Sequence, residues 1–390
     1  MPPTNALLVS ELFPPAVGGS AVLFDGIYSR LIGAEVVVLT DGPADDGARP
    51  ERRGALTVLR RPLAARGWGI ADPKSLWQHL RVARQLRDLT SDEQTVVHCG
   101  RALPEGVAAL IAHKCGGAPY VCWAHGEDIA SALTSRELIW LARRVYLGAS
   151  ATLANSRNTG AMLAALGVPE SKIVVVHPAV DAKRFRADID GRHVRRRFAG
   201  DTDVMLLSVG RLQRRKGHDV AIRAVASLRE ELPNLRYVIA GDGEERARLE
   251  RLAADEHVAD RVFFAGTVSA EELPAFYAAC DVFVLPNRVD EDGDLEGFGI
   301  VFLEAAASGK PVIGGDSGGV PEAVERDVTG LLVDGANVAA VSAAIQHLAT
   351  SEPCRRRLGT AGRARVERCF SWDRAAHTIS DLQLRVAVHP

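Results

Sequence analysis

Apolar residues come in short runs along the first half of the chain, at 6–9, 35–40, 55–60, 95–98, 120–124, 151–154 and 173–176. Each run reads as a strand. Between them apolar positions recur at helical spacing, predicting helices over 21–31, 76–89, 106–115, 137–148 and 156–166, the last closed by Gly167. Short apolar strands alternating with amphipathic helices predict a parallel sheet covered on both faces. The rhythm breaks after His177 and Pro178. Residues 188–200 carry Arg192, Arg195, Arg196 and Arg197 beside Asp188 and Asp190, with no apolar run. They read as the approach to a second domain, although a solvated helix and turn describes them equally. A second series follows, with strands over 204–209, 236–240, 262–264, 282–285, 311–314 and 330–333. Helices over 219–232, 244–254, 270–279, 300–308 and 321–324 alternate with them, and helices over 338–349, 353–368 and 372–384 end the chain. The expected fold is α/β, with one Rossmann-like domain over 1–187 and another over 188–371. Ligands of open parallel sheets bind beyond the carboxyl ends of the strands, so two facing sheets would put a site in the cleft between them.

Bulk properties narrow the function classes. A chain of 390 residues is long for one core, and 47% hydrophobic with 25% charged residues is an ordinary globular composition. A net charge of -2 argues against a general nucleic-acid binder. The six cysteines lack the short paired spacings of a zinc or iron–sulfur site and read as small buried hydrophobes. The N-terminus shows no signal-peptide pattern, and no apolar stretch reaches the roughly 20 residues that span a bilayer. A cytoplasmic location is expected, with peripheral contact at the inner membrane face left open. A homodimer is also left open.

The loop 210–217 (GRLQRRKG) lies between a predicted strand and a predicted helix. It brings Arg211, Arg214, Arg215 and Lys216 to the carboxyl edge of the sheet, beside the exposed amides of a helix start. A diphosphate matches: arginine is a forked donor, lysine a mobile point charge, and the helix end favours anions. A solvated basic turn is the plainer account. Neither a P-loop nor a GxGxxG after the first strand is present. Gly241, in a Gly-Asp-Gly turn, marks the same edge.

The stretch 296–304 (EGFGIVFLE) is more pointed. Glu296 would lie on the loop and Glu304 about one turn into the next helix, while Gly297 and Gly299 let backbone pass close to a ligand. Carboxylates accept hydrogen bonds from sugar or ribose hydroxyls. Two helix-start charges would look similar, but the Gly-rich return at 314–319 favours a ligand loop. In the first half, Gly18, Gly19 and Ser20 precede a helix whose amides could meet a phosphate. His125 directly follows a strand, a placement that suits either a site or a structural histidine. No HxH or HExxH pattern suggests a metal; the acidic residues Asp290, Glu291, Asp292 and Asp294 read as a solvated loop, with a cation site the alternative.

Gly18 with Gly19, His125, Arg211 with Lys216, and Glu296 with Glu304 resemble, in order and separation, the retaining glycosyltransferases of family 4, which have the GT-B fold. The likeness spans nearly the whole chain and is weakest over 41–89. It implies that Arg211 and Lys216 hold the donor diphosphate, with Gly18 and Gly19 offering backbone to the same group. Glu296, Gly297 and the backbone of Phe298, Gly299 and Ile300 would grip the hexose. Glu304 would bind the ribose, Gly241 and Val268 would border the nucleotide, and His125 would bond near the sugar 6-hydroxyl and support the transition state. The resemblance further implies retention of anomeric configuration, no cofactor and no required metal, and a C-terminal helix over 372–390 that completes the first domain. One departure is Ala179, where an Asn-Gly pair is common, so a changed turn is expected there.

The run from Glu296 to Glu304, with GDSGGVP at 315–321, is similar to phosphatidyl-myo-inositol mannosyltransferases, which leans the donor toward GDP-mannose. UDP-glucose, UDP-galactose and UDP-N-acetylglucosamine remain alternatives. The acceptor is a glycan, a lipid-linked molecule or a small molecule. A nucleotide-sugar epimerase, a phosphorylase of the same architecture and a silent sugar-nucleotide binder are the rival classes.

Overall fold

The computed structural model describes residues 5–16, 18–42, 50–64, 67–90 and 94–388. The chain divides into two compact units, Met1–Pro178 with Trp372–Pro390, and Ala179–Ser371. The sequence pattern puts the change at 187/188, whereas the structural division falls after Pro178. Residues 179–187 join the second unit because Phe185 packs edge-on against Tyr277, centroids 5.6 Å apart, and its carbonyl accepts Arg363 Nη1 at 3.0 Å. At the departing turn, buried Ala179 leads to Val180, whose amide donates to Phe370 O at 3.3 Å.

In the first unit the strands are β1 (Asn5–Ser10), β2 (Val36–Thr40), β3 (Glu51–Arg53), β4 (Leu56–Arg60), β5 (Thr95–Cys99), β6 (Tyr120–Ala124), β7 (Ala151–Ala154) and β8 (Ile173–Val175). They lie in the order β3-β4-β2-β1-β5-β6-β7-β8, and all pairs are parallel except β3–β4. The sequence pattern misses β3, because its Glu-Arg-Arg is exposed and carries no apolar run. It is a short charged edge strand, a form that resists further pairing. The strands β5, β6 and β7 are buried at every position, as helices on both faces require. Helices Pro73–Leu89 and Arg136–Gly148 pack about Val107–Lys114 over one apolar core. Helix Gly19–Tyr28 meets the C-terminal helix Trp372–Val388. Gly26 permits this approach, since a Cβ there would lie 2.5 Å from the Trp372 indole.

In the second unit the strands are β9 (Val204–Val209), β10 (Leu235–Ala240), β11 (Val262–Gly266), β12 (Val282–Leu285), β13 (Val312–Gly315) and β14 (Gly330–Val333). The order is β11-β10-β9-β12-β13-β14, parallel throughout. The residues 188–200 hold the helix Arg192–Phe198, tied down by Arg195, which bonds Ala279 O at 2.9 Å and pairs with Asp281 at 3.0 Å.

Both sheets share one topological feature. Successive connections leave β1 toward β2 on one side and β5 on the other; around β9 they leave toward β10 and β12. At such a switch point the connecting segments part and open a crevice beyond the strand ends. Among the described residues no helix is long and apolar enough to cross a membrane.

Candidate functional site

At the second unit's switch point the segment after β9 runs through the single turn Arg214–Lys216 into helix His218–Ser227. Gly217 joins the two with φ at +72°, and a Cβ there would lie 2.1 Å from Pro286 O. Only glycine fits, and the close crossing presses the basic turn against the segment that leaves β12. Buried Lys216 donates from Nζ to Glu296 Oε2, Arg215 Nη1 reaches the same oxygen at 2.9 Å, and Asn287 Nδ2 at 3.0 Å. Arg215 Nε also pairs with Asp294 Oδ2 at 2.9 Å. Burial alone would raise the Glu296 carboxyl, but the adjacent Lys216 and Arg215 charges outweigh it and pull it down to about 2.

This geometry revises the picture of a uniformly available basic loop. Arg215 and Lys216 are balanced by Glu296 and Asp294, and Arg214 pairs with Glu245 and Glu291 at 3.7 Å each. Arg211 is exposed and takes part in no salt bridge among the described residues. Among the described residues the side-chain bonds to Glu296 fall on Oε2, so Oε1 can accept from a hydroxyl ligand, and Lys216 keeps N–H donors beyond the one given to Glu296. The acidic loop builds a turn: Asp290 Oδ1 accepts the amides of Asp292 at 3.1 Å and Asp294 at 2.9 Å. Among the described residues no group of three or more His, Cys, Asp or Glu side chains could hold a metal ion.

The rest of the 296–304 stretch opens helix Ile300–Ala307. Gly299 caps it at φ +89° with no side-chain cap, leaving helix-start amides directed outward. Gly297 lies in the same turn, its carbonyl so near Gly319 that a Cβ on Gly319 would sit 2.0 Å away. Phe298 is buried and packs on Phe370 at 5.9 Å. Glu304, buried in the helix, accepts Tyr277 OH at 2.7 Å, while burial raises its carboxyl above the usual range. Gly241 crosses the segment after β9 so closely that a Cβ would lie 1.9 Å from Gly210 O. Val268 is half-buried in the segment after β11. Thus Arg211, Lys216, Gly241, Val268 and Glu296 all lie beyond the carboxyl ends of this sheet, and Lys216 with Glu296 are in direct contact.

The first unit gathers Gly18, Gly19 and His125 at the carboxyl edge of its own sheet. Helix Gly19–Tyr28 starts with no side-chain cap on Gly18, which leaves its first amides available to an anion. The His125 ring stacks on Trp123 at 6.2 Å, meets Phe24 edge-on at 5.8 Å, and its Nε2 bonds Gly100 O at 2.8 Å. A carbonyl only accepts, so Nε2 carries the hydrogen of this bond. Gly126, at φ +89°, turns the chain straight into helix Glu127–Leu133, which the sequence pattern does not predict, and Asp128 Oδ1 accepts His125 N at 2.9 Å. His98, also at a strand end, is a core residue bonded to Tyr28 OH at 2.8 Å, its pKa depressed by burial to about 3.

Several contributors escape sequence reading. Asn287, Tyr277 and the pairing of Arg215 depend on contacts across the fold. Glu105, buried in a tight turn after β5, accepts Glu11 N at 2.9 Å and lies 3.8 Å from Arg101 Nε. Its carboxyl is pushed up to about 7, chiefly by burial and partly offset by Arg101. Only Asn287, directly after the strand-ending Pro286, offered a local signal.

Two α/β units, each gathering polar side chains at the switch point of its sheet, have the architecture of the GT-B fold. Sucrose-phosphate synthase from Thermosynechococcus elongatus matches with a TM-score of 0.82 over 99% of this chain and 100% of its own, at 22% identity. Anabaena HepE in complex with UDP-glucose matches at 0.79 over 98% and 100%, at 19% identity. At those identities the likeness bears on the fold alone, and it is the fold expected from the sequence. The family model for glycosyl transferases group 1 matches residues 192–365, and that for glycosyltransferase family 4 matches residues 17–184. The GDP-mannose-dependent alpha-(1-6)-phosphatidylinositol monomannoside mannosyltransferase of Mycobacterium tuberculosis is 32% identical over 97% of both chains. Its namesake from Mycolicibacterium smegmatis is 32% identical over 92% of both, and the Corynebacterium glutamicum enzyme that acts on the monoacylated form is 30% identical over 95% of both. The chain belongs to family 4 and is a glycosyltransferase.

Proposed function

We propose that this enzyme transfers mannose from GDP-mannose to a hydroxyl of a lipid-linked acceptor, with retention of anomeric configuration and release of GDP. The donor and acceptor class rest on the full-length similarity to enzymes named for GDP-mannose and phosphatidylinositol mannosides. The observation that carries the site is the contact of Lys216 and Arg215 with Glu296 at the switch point of the second sheet. In this reading the bond from the anomeric carbon to the diphosphate breaks while the acceptor oxygen bonds the same face of that carbon. The acceptor proton passes to the leaving phosphate. Arg211 and Lys216 neutralise the charge that develops there, and Lys216, already held by Glu296, does this without reorganisation.

Glu296 Oε1 would accept hexose hydroxyls while Oε2 is held by its three donors, so the gripping oxygen is oriented before the sugar arrives. Gly297, Phe298, Gly299 and Ile300 would line the sugar, Glu304 would take the ribose, and Gly241 and Val268 would border the base. Gly18 and Gly19 would serve the diphosphate and His125 the sugar, with no cofactor or required metal. A lipid-linked acceptor also brings contact with a membrane surface into the reading.

The test is a panel of GDP-mannose, UDP-glucose, UDP-galactose and UDP-N-acetylglucosamine, assayed for binding and nucleotide release with and without phosphatidylinositol mannoside. Acceptor-dependent GDP release with a mannosylated product is expected. Turnover of a UDP-sugar instead would overturn the donor assignment. An altered free nucleotide sugar or a sugar phosphate as product would point to an epimerase or a phosphorylase. Failure to bind any donor would overturn the whole reading.

A further inference from the structure

Beyond the carboxyl ends of β12, β13 and β14 the second unit holds a cavity of about 330 Å³, a size that suits a small ligand. It lies on the β13–β14 side of the sheet, whereas Gly241 and Val268 follow β10 and β11 on the other side of β9. None of the residues given above to nucleotide or hexose lines it. Asn287 joins it to the donor side. This side chain is fully buried, and its Nδ2 donates to Glu296 Oε2 at 3.0 Å. Its Oδ1 is buried with no hydrogen-bond partner among the described residues. The segments after β13 and β14 close on the Asn287 backbone, since a Cβ on Gly315 would lie 1.7 Å and one on Gly335 2.2 Å from its carbonyl oxygen. Ser317 Oγ donates to the same oxygen at 3.1 Å.

The polar side chains around the cavity are left as acceptors. Asp316 and Asp334 are carboxylates, and Ser317 has given its hydrogen to Asn287. Arg288 is held by Asp219 through both terminal nitrogens, at 2.9 and 3.0 Å. Backbone donors are spent as well: Asp316 N on Val333 O at 2.7 Å, Ser317 N on Gly315 O at 2.9 Å, and Ala336 N on Asp334 Oδ1 at 2.9 Å. Such a lining disfavours phosphate or carboxylate and suits a ligand rich in donors. Charge then separates a cation from a polyol. Asp316 pairs with Arg326, which leaves Asp334 as the lining carboxylate outside a salt bridge among the described residues. One carboxylate compensates a buried cation poorly. A water would satisfy Asn287 Oδ1 but not the two aspartates across a cavity of this size. A sugar ring supplies several hydroxyls without charge, and Val289 and Ala336 offer an apolar side to its C–H groups.

We propose that this cavity binds a single hexose ring, in a sugar site separate from the one that Glu296 forms. Asn287 serves both, its amide nitrogen on Glu296 and its carbonyl oxygen toward the second ring. The proposal stands on the cavity and holds whichever nucleotide sugar is the donor. The ring is either a free monosaccharide or the end of a larger glycan, and the two differ at the anomeric position.

The test is hydrogen–deuterium exchange of the full chain with mannose, and separately with methyl α-D-mannopyranoside, in the absence of nucleotide. Added protection of the amides at 315–317 and 334–336 is expected. Protection by both probes assigns the cavity to a glycan end, and protection by mannose alone assigns it to a free sugar; either supports the site. Asp334→Asn keeps the oxygen that caps Ala336 and removes the charge, so the sugar concentration for half-protection should rise about tenfold. Ala336→Phe places a ring in the cavity and should abolish the protection. Both positions are exposed, so thermal melts that match wild type serve as the folding control. No protection at these two segments, or protection that Ala336→Phe leaves intact, would overturn the proposal. Protection confined to 296–300 would put the sugar in the donor site and overturn it equally. Ethanolamine protecting the segments better than either sugar would make this a cation site, with the same consequence. Donor binding is measured in parallel: its absence in wild type would count against the functional reading, and protection at 315–317 and 334–336 alone decides the cavity.

Discussion

Glu105 and Glu296 each stand in the segment that leaves a strand bordering a switch point, one per sheet, and their side chains are only 2% and 12% exposed. Burial pushes both carboxyls toward the neutral form. Glu105 meets one guanidinium at 3.8 Å and is left with its pKa near 7. Glu296 meets Lys216, Arg215 and Asn287 on a single oxygen and is drawn down to about 2. The contrast shows that contact with cations, more than depth of burial, sets charge at these strand ends. The first unit's acid anchors backbone, holding Glu11 at the start of the segment that leads to Gly18. The second unit's acid holds two cations in place where a diphosphate is proposed to leave.

The sharpest way to break this contrast is to remove the acid that carries the ion pairs. Glu296→Ala leaves Lys216 without its carboxylate and Arg215 with Asp294 alone, which should cost about 3 kcal/mol or more of stability at neutral pH. The sign against pH follows from the depressed pKa. Its stabilising contribution is present above the ordinary glutamate value and is lost as pH falls through 4.5 toward 2. Urea melts of wild type and variant should therefore converge on acidification; a gap independent of pH would contradict the ion-pair account. Next in size, Lys216→Ala should reduce turnover by about 10²-fold or more, as loss of one preorganised electrostatic donor does elsewhere. Unchanged turnover in a folded variant would remove Lys216 from the diphosphate site.

Glu105→Gln tests the other half with the opposite slope. A carboxyl held near 7 binds its proton more tightly in the folded chain, so ionisation destabilises the fold as pH rises from about 4.5 to 7. Glutamine does not titrate and keeps an acceptor for Glu11. The variant should therefore gain on wild type by about 2 kcal/mol across that window, read from thermal melts at pH 5 and pH 8. Parallel melting curves at the two pH values would mean that Arg101 keeps Glu105 ionised throughout.

The two regions also differ in how far the sequence discloses them. Alternating apolar runs and amphipathic segments are local, so both sheets are legible in them. The charged edge strand β3 is not, since hydrogen bonding alone makes it, and helix Glu127–Leu133 is hidden because its start depends on the backbone freedom of Gly126. Lys216 and Glu296 stand out through their glycine neighbours, yet their contact spans 80 residues and no periodicity predicts it. The buried state of Glu105 is less visible still. Nothing around it in sequence separates it from a solvated acid, and only the packed turn after β5 raises its pKa.

The smallest expected effect concerns Glu304, which lies between the two extremes. It is buried and, among the described residues, meets no cation at contact distance; a neutral phenol at 2.7 Å is its partner, and its pKa stays raised. Tyr277→Phe removes that donor while keeping the ring packed on Phe185 and Phe283. The loss should be about 1 kcal/mol, as for one hydrogen bond, and the carboxyl should rise further because the phenol favours its ionised form. If Glu304 accepts the ribose hydroxyls, a carboxylate less firmly oriented weakens donor binding before chemistry begins. The variant should then raise the donor KM about threefold to tenfold with kcat nearly unchanged, since ground state and transition state share that contact. A fall in kcat at constant KM would instead move Glu304 toward the reacting carbon, and it would make the second unit's two glutamates partners in one step.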